Sequence, residues 1–153
     1  MHILVDIGNT NVLFGKFDSA HLLDQLRLET STINSELFVS DNETKKKIID
    51  FFEEGCSDCF ISGVVPDTGT LLIKFLKDSL NLNTIEIDNE YLRNIIDVDV
   101  EQPQEVGVDR LINSFAGLHL FNKPLIIIDF GTATTFDLVS ENGSYIGGMI
   151  CPG

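Results

Sequence analysis

Two stretches of this chain share one layout, and that repetition constrains the fold more than any other feature. The apolar run HILV leads into DIGNTN at Asp6, and the run LIII leads into DFGTATT at Asp129. Each time a strand-length apolar segment ends in aspartate, one apolar residue, glycine and then small hydroxyl or amide residues. Such a corner sets a carboxylate beside exposed backbone N–H groups, which can hold phosphate oxygens. Carboxylates and hydroxyls can also hold Mg²⁺, usually through water, because a hard cation takes oxygen ligands. One such corner is an ordinary hairpin turn. Two, carrying Asp6, Gly8, Thr10 and Asp129, Gly131, Thr132 at equivalent places, predict a phosphate chain gripped from two sides, with one turn per lobe.

The surrounding pattern supports two related lobes. Residues 2–6, 12–17 and 21–29 read as three strands joined by tight turns at Gly8–Asn9 and Asp18–Ser19, an antiparallel meander. The stretch NSELFVSDNETKKKIIDFFEE has helical spacing, with a break expected near Asp41 and a stop at Gly55. CFISGVV, ended by Pro66, then TLLIKFLKDSL and NTIEI alternate strand, helix and strand. A polar segment with Pro103 and Gly107 leads into the helix RLINSFAGLHLF. PLIIIDF, TTFDLVS and SYIGGMI, with Asn142–Gly143 as a turn, repeat the opening meander. Gly147 and Gly148 can be read as room for a ligand or as a bulge. The expected fold class is α/β, a mixed sheet with flanking helices. The expected domains are 1–121, a complete first lobe that includes the GVDR helix, and 122–153, the start of a duplicated second lobe. A last sheet with no helix after it suggests a truncated lobe that a further segment or partner would cover.

Charge narrows the partners. With 24 acidic against 10 basic residues the formal net charge is -14, which repels nucleic-acid backbones and anionic membranes. No signal segment and no membrane-length apolar run is visible, and three cysteines suit a reducing compartment, so a cytoplasmic protein is expected. Cys56 and Cys59 form a lone CxxC without a second pair or clustered histidines, and read as reduced thiols around a turn and strand start. His119 reads as helix packing or surface.

A third element is GVDR, residues 107–110. A cleft that transfers phosphoryl to an alcohol needs a carboxylate within hydrogen-bond reach of the hydroxyl, and Asp109 at a loop-to-helix junction is the best-placed candidate. Arg110 could clamp a substrate carboxylate or steady developing charge. Equally, Asp109 could be a helix cap and Arg110 a surface partner; spacing alone leaves both open.

At these residues the sequence resembles the type III pantothenate kinases, within the acetate and sugar kinase, Hsp70 and actin superfamily. The likeness runs the whole length through DIGNTN with Gly15, VVP at Val64–Pro66, PQEVGVDRLINSFAG from Pro103, IIDFGTATTFDLV from Ile127 and YIGGMICPG from Tyr145. The resemblance implies a ribonuclease H-like, actin-like ATPase fold. It implies ATP-dependent phosphorylation of pantothenate to 4'-phosphopantothenate, the first step of coenzyme A biosynthesis. By position, Asp6, Ile7, Gly8, Asn9, Thr10, Asn11, Val12 and Leu13 would form the first phosphate loop and Thr132 would contact ATP. Asp109 would be the proton acceptor, with Gly107, Val108, Asp109 and Arg110 lining the pantothenate site. Asp129 looks like the ligand of a monovalent cation, K⁺ or NH₄⁺, acting beside Mg²⁺. A homodimer is implied as well. Val100 stands where many members carry an aromatic residue near the acceptor. The competing reading is a nucleotide-binding regulatory or chaperone-like module of the same superfamily, which would hydrolyse ATP without an acceptor.

Overall fold

The computed structural model describes residues 1–38, 42–52, 56 and 58–153. The chain divides into two compact units, Met1–Glu86 and Ile87–Gly153.

The first unit opens with β1 (His2–Ile7), β2 (Asn11–Asp18) and β3 (His21–Glu29). In β1 the residues alternate in burial, with Ile3, Val5 and Ile7 inside and His2, Leu4 and Asp6 outside, as a strand with one covered face requires. Helix α1 (Glu43–Phe52), strand β4 (Asp58–Gly63), helix α2 (Pro66–Leu80) and strand β5 (Asn83–Glu86) complete the unit. The sheet runs β3-β2-β1-β4-β5. Its meander half is antiparallel and β4 and β5 join β1 in parallel, so the expected mixed sheet is present. Ile48, Phe51 and Phe52 of α1 and Leu72, Phe75 and Leu76 of α2 bury against it. Phe14 meets Phe51 and Phe52 edge-on, at centroid distances of 6.2 and 6.1 Å.

Local chemistry sets several boundaries. The helical stretch expected from residue 34 resolves into a 3₁₀ turn at Ser35–Phe38 and the helix α1; the break at Asp41 and the stop at Gly55 lie outside the described residues. Pro66, expected to end a strand, is the first residue of α2, where its missing N–H has no intrahelical partner to lose. Cys59 is buried in β4, and none of the three cysteines forms a disulfide. Burial, with Cys56 adding, pushes its thiol up to about 12, which keeps it protonated and unreactive.

The second unit contains α3 (Asn89–Arg93), a 3₁₀ turn at Pro103–Glu105, α4 (Val108–Leu120), and strands β6 (Leu125–Phe130), β7 (Ala133–Val139) and β8 (Tyr145–Pro152). Sequence periodicity missed α3, which is only five residues long; its cap is Asp88, whose carboxylate accepts from Tyr91 N–H at 2.7 Å. The three strands form an antiparallel sheet in the order β6-β7-β8, the same meander as β1-β2-β3. Pairing skips Ile146, since Leu138 opposes Gly147 and Val139 opposes Tyr145, and Gly147 has φ +117°. The extra residue of the bulge is therefore Ile146, with Gly147 beside it at positive φ. On the sheet face bearing Ile126, Ile128, Phe130 and Met149, these four side chains stand exposed. Among the described residues no helix is long and apolar enough to cross a membrane.

Candidate active site

The first turn is built at the end of β1. Strand β4 reaches this end because Gly63 opposes Ile7; a Cβ on Gly63 would collide with the Cβ and carbonyl oxygen of Ile7. Val64 N–H then donates to the Ile7 carbonyl at 2.9 Å. The turn itself closes when Gly8 N–H donates to the Asn11 carbonyl at 2.9 Å. Thr30, just past β3, laces it from outside: its N–H donates to Thr10 O at 2.9 Å and its hydroxyl to Gly8 O at 2.7 Å. Nothing in local spacing marked Thr30, since the partners are brought together by the β2–β3 pairing. Asp6, Asn9 and Thr10 are exposed at the turn, whereas Ile7 and Val12 are core residues whose side chains face inward. Neither side chain is open to a ligand, and the backbones of both are engaged in the sheet, Ile7 against Val12 and Gly63 and Val12 against Leu28.

The second turn repeats the arrangement with one residue fewer. Residues 8–11 lie between the paired Ile7 and Val12, and residues 131–133 between the paired Phe130 and Thr134. Gly131 N–H donates to Ala133 O at 3.1 Å. Asp129, like Asp6, is the penultimate residue of its strand. Asn113 of α4 donates to one Asp129 carboxylate oxygen at 3.0 Å.

That contact ties the second turn to GVDR. Asp109 and Asn113 are one helical turn apart, so they share a face of α4, and Asn113 reaches the carboxylate of Asp129. Gly107 is the residue before the first turn of α4 and caps it with no side chain. Asp109, half-buried, is an acidic residue in that first turn rather than the cap. Its carboxylate makes no hydrogen bond or ion pair among the described residues. Val108 is buried. Arg110 turns away from open solvent: its Nε and Nη2 each lie 2.7 Å from one oxygen of Asp137, and Nη2 donates to Phe136 O at 3.2 Å. Asp137 is fully buried and also accepts from the Tyr145 hydroxyl at 3.0 Å.

The site residues thus fall into one cluster per unit, Asp6–Leu13 in the first and Gly107–Arg110 with Asp129 and Thr132 in the second. Asn113, Thr30 and Asp137 are the participants that spacing did not single out. Among the described residues no group of three or more His, Cys, Asp or Glu could hold a metal ion. Asp6 and Asp129 are carboxylate oxygen donors beside hydroxyl residues, the ligand type a hard cation takes.

Residues 2–153 match the family model of the type III pantothenate kinase. The chain belongs to the type III pantothenate kinase family. It is 36% identical over 156 residues to the type III pantothenate kinase of Desulforapulum autotrophicum, covering all of this chain and 59% of that protein. With that of Persephonella marina it shares 37% identity over 152 residues, covering 97% of this chain and 58% of the other. The chain therefore spans about three fifths of the length of such relatives. Among solved structures it resembles a protein from Sinorhizobium meliloti assigned as a 2-dehydro-3-deoxygalactonokinase. The TM-score is 0.60 at 10% identity, covering 98% of this chain and 53% of that one. The ethanolamine utilization protein EutJ of Carboxydothermus hydrogenoformans gives 0.50 at 13% identity, covering 98% and 51%. With the mixed five-stranded sheet and the repeated meander, these likenesses show the mixed α/β, actin-like fold expected from the sequence.

Proposed function

We propose that the full protein phosphorylates the primary hydroxyl of pantothenate with ATP, giving 4'-phosphopantothenate and ADP, the first step of coenzyme A biosynthesis. The observation that carries this reading is the uncommitted carboxylate of Asp109, set one helical turn from Asn113 and through it beside Asp129, in a chain of this family. Asp109 would accept the proton as the hydroxyl oxygen bonds to the γ-phosphorus and the bond to the β–γ bridging oxygen breaks. Gly107, Val108 and Arg110 would line the pantothenate site, Val108 through its backbone. Asp6 to Leu13 would cradle the phosphates, with Thr132 contacting ATP from the second turn. Mg²⁺, held near Asp6 through water, and a monovalent cation, K⁺ or NH₄⁺, at Asp129 would supply charge neutralisation along the phosphate chain. The lobes are assigned as 1–121 and 122–153, with one turn in each. Family membership is also the support for a homodimer, and the net charge and cysteine usage for a cytoplasmic location.

The test is a coupled assay of ADP release by the full chain with ATP, Mg²⁺, K⁺ and pantothenate. Release that depends on pantothenate is expected. Release at the same rate without an acceptor, or none at all, would reject the kinase.

A separate prediction concerns the base of this site. Burial first, then the hydrogen bond and charge of Asp137, push the Tyr145 phenol from 10.0 up to about 12. Between pH 10 and 12 the unfolded chain therefore releases a proton that the folded chain keeps. Stability from this group is full below pH 10 and is lost as pH rises through 12, a fall of about 3 kcal/mol at most. Denaturant midpoints across this range should drop more steeply for the wild type than for Tyr145→Phe. Parallel profiles would remove Tyr145 as the titrating group.

A further inference from the structure

Asp137 lies in β7 with no solvent exposure, and a buried carboxylate costs several kcal/mol unless it is compensated. Its compensation comes from residues distant in the chain. Arg110 approaches one carboxylate oxygen with Nε and Nη2, both at 2.7 Å, and Tyr145 donates to the same oxygen at 3.0 Å. The Thr135 hydroxyl stands 3.4 Å from the other oxygen. The guanidinium is held on further sides: Nη2 donates to Phe136 O, and the group lies over the Tyr145 ring, 6.0 Å from its centroid. Gly148, paired with Asp137 across the strands, leaves the space; a Cβ there would collide with Phe136 O and with Nη2 of Arg110. An apolar pair of similar volume would hold the helix to the sheet about as well. What the ion pair adds is a single orientation of a planar, forked cation. Nη1 is the guanidinium nitrogen left without a protein partner among the described residues.

We propose that Asp137 is a positioning residue for the acceptor site, locking Arg110 by its Nε–Nη2 edge so that Nη1 meets the acceptor's carboxylate in fixed register with Asp109. Tyr145 supports it by holding the same oxygen. This inference rests on the kinase reading above, in which Arg110 lines the pantothenate site.

The test uses the full chain with pantothenate as acceptor. Asp137→Asn keeps the shape and removes the charge. Its KM for pantothenate should rise about tenfold or more, the worth of one charge-assisted contact, while its KM for ATP stays within about twofold. If Asp137 acts through Arg110, adding Asp137→Asn to Arg110→Lys should raise the pantothenate KM little beyond Arg110→Lys alone. Tyr145→Phe, a milder change, should show the same selective rise at smaller size, and keeps the test readable if Asp137→Asn does not fold. Equal effects on both KM values, or fully additive effects in the double variant, would overturn the positioning role while leaving an active wild type. A wild type without pantothenate-dependent turnover overturns the kinase reading and this role together.

Discussion

Replacing Asp109 by asparagine in the full chain is expected to lower kcat for pantothenate phosphorylation by about 10² to 10⁴, the usual worth of a general base. The KM for ATP should stay near its wild-type value, because the residues assigned to ATP belong to the two turns and not to α4. Asparagine keeps the size and polarity of the side chain, and the native carboxylate has no hydrogen bond or ion pair to lose among the described residues. The fold should therefore tolerate the change. An acidic group in the first turn of α4 favours the helix by about 0.3 to 1 kcal/mol, so only a small drop in thermal midpoint is expected. Single-turnover and steady-state rates on the purified variant decide the matter. Unchanged turnover would reduce Asp109 to a favourable charge at a helix start.

Arg110→Met should instead be a stability lesion, with a loss of about 3 to 5 kcal/mol in the unfolding free energy. That is the typical effect of removing one partner from a buried pair. The side chain of Arg110 is 14% exposed and that of Asp137 not at all, so the orphaned carboxylate would keep only Tyr145 and the distant Thr135 hydroxyl as donors. Denaturant unfolding reads the loss. Adding Asp137→Leu to Arg110→Met should restore much of the stability, since two apolar groups need no compensation. Pantothenate use should remain impaired in that double variant, because the cation is absent. A stable Arg110→Met variant would mean that water or another group satisfies Asp137.

These two residues mark what a local pattern can point to and where it stops. Asp109 was legible because its signal is local: a glycine, an acid and a base at the head of an amphipathic segment. The spacing left two roles for it, cap or base. The structure separates them in part, placing the residue inside the first turn of α4 with Gly107 before it. Arg110 was legible as a residue but not in its contact, since Asp137 lies 27 positions further on in a strand. Sequence reading could treat it only as a substrate clamp, a steadier of developing charge or a surface partner. Likewise Thr30 is 22 residues from the turn it laces, and Asn113 is 16 from Asp129. α3 escaped because five residues cannot display a helical period.

The sequence by itself determined the strand alternation, the repeated Asp-x-Gly turns, the alternation of strand and helix in the first unit, and the family. All of these are written in runs of a few residues, where side-chain periodicity and turn chemistry act directly on the backbone. Tertiary structure alone decided which groups satisfy one another: Thr30 on the first turn, Asn113 on Asp129, and Arg110 with Tyr145 on the buried Asp137. Such pairings follow from strand register and helix packing across long separations. A buried polar atom must find a partner somewhere, but no local pattern states which residue that partner will be.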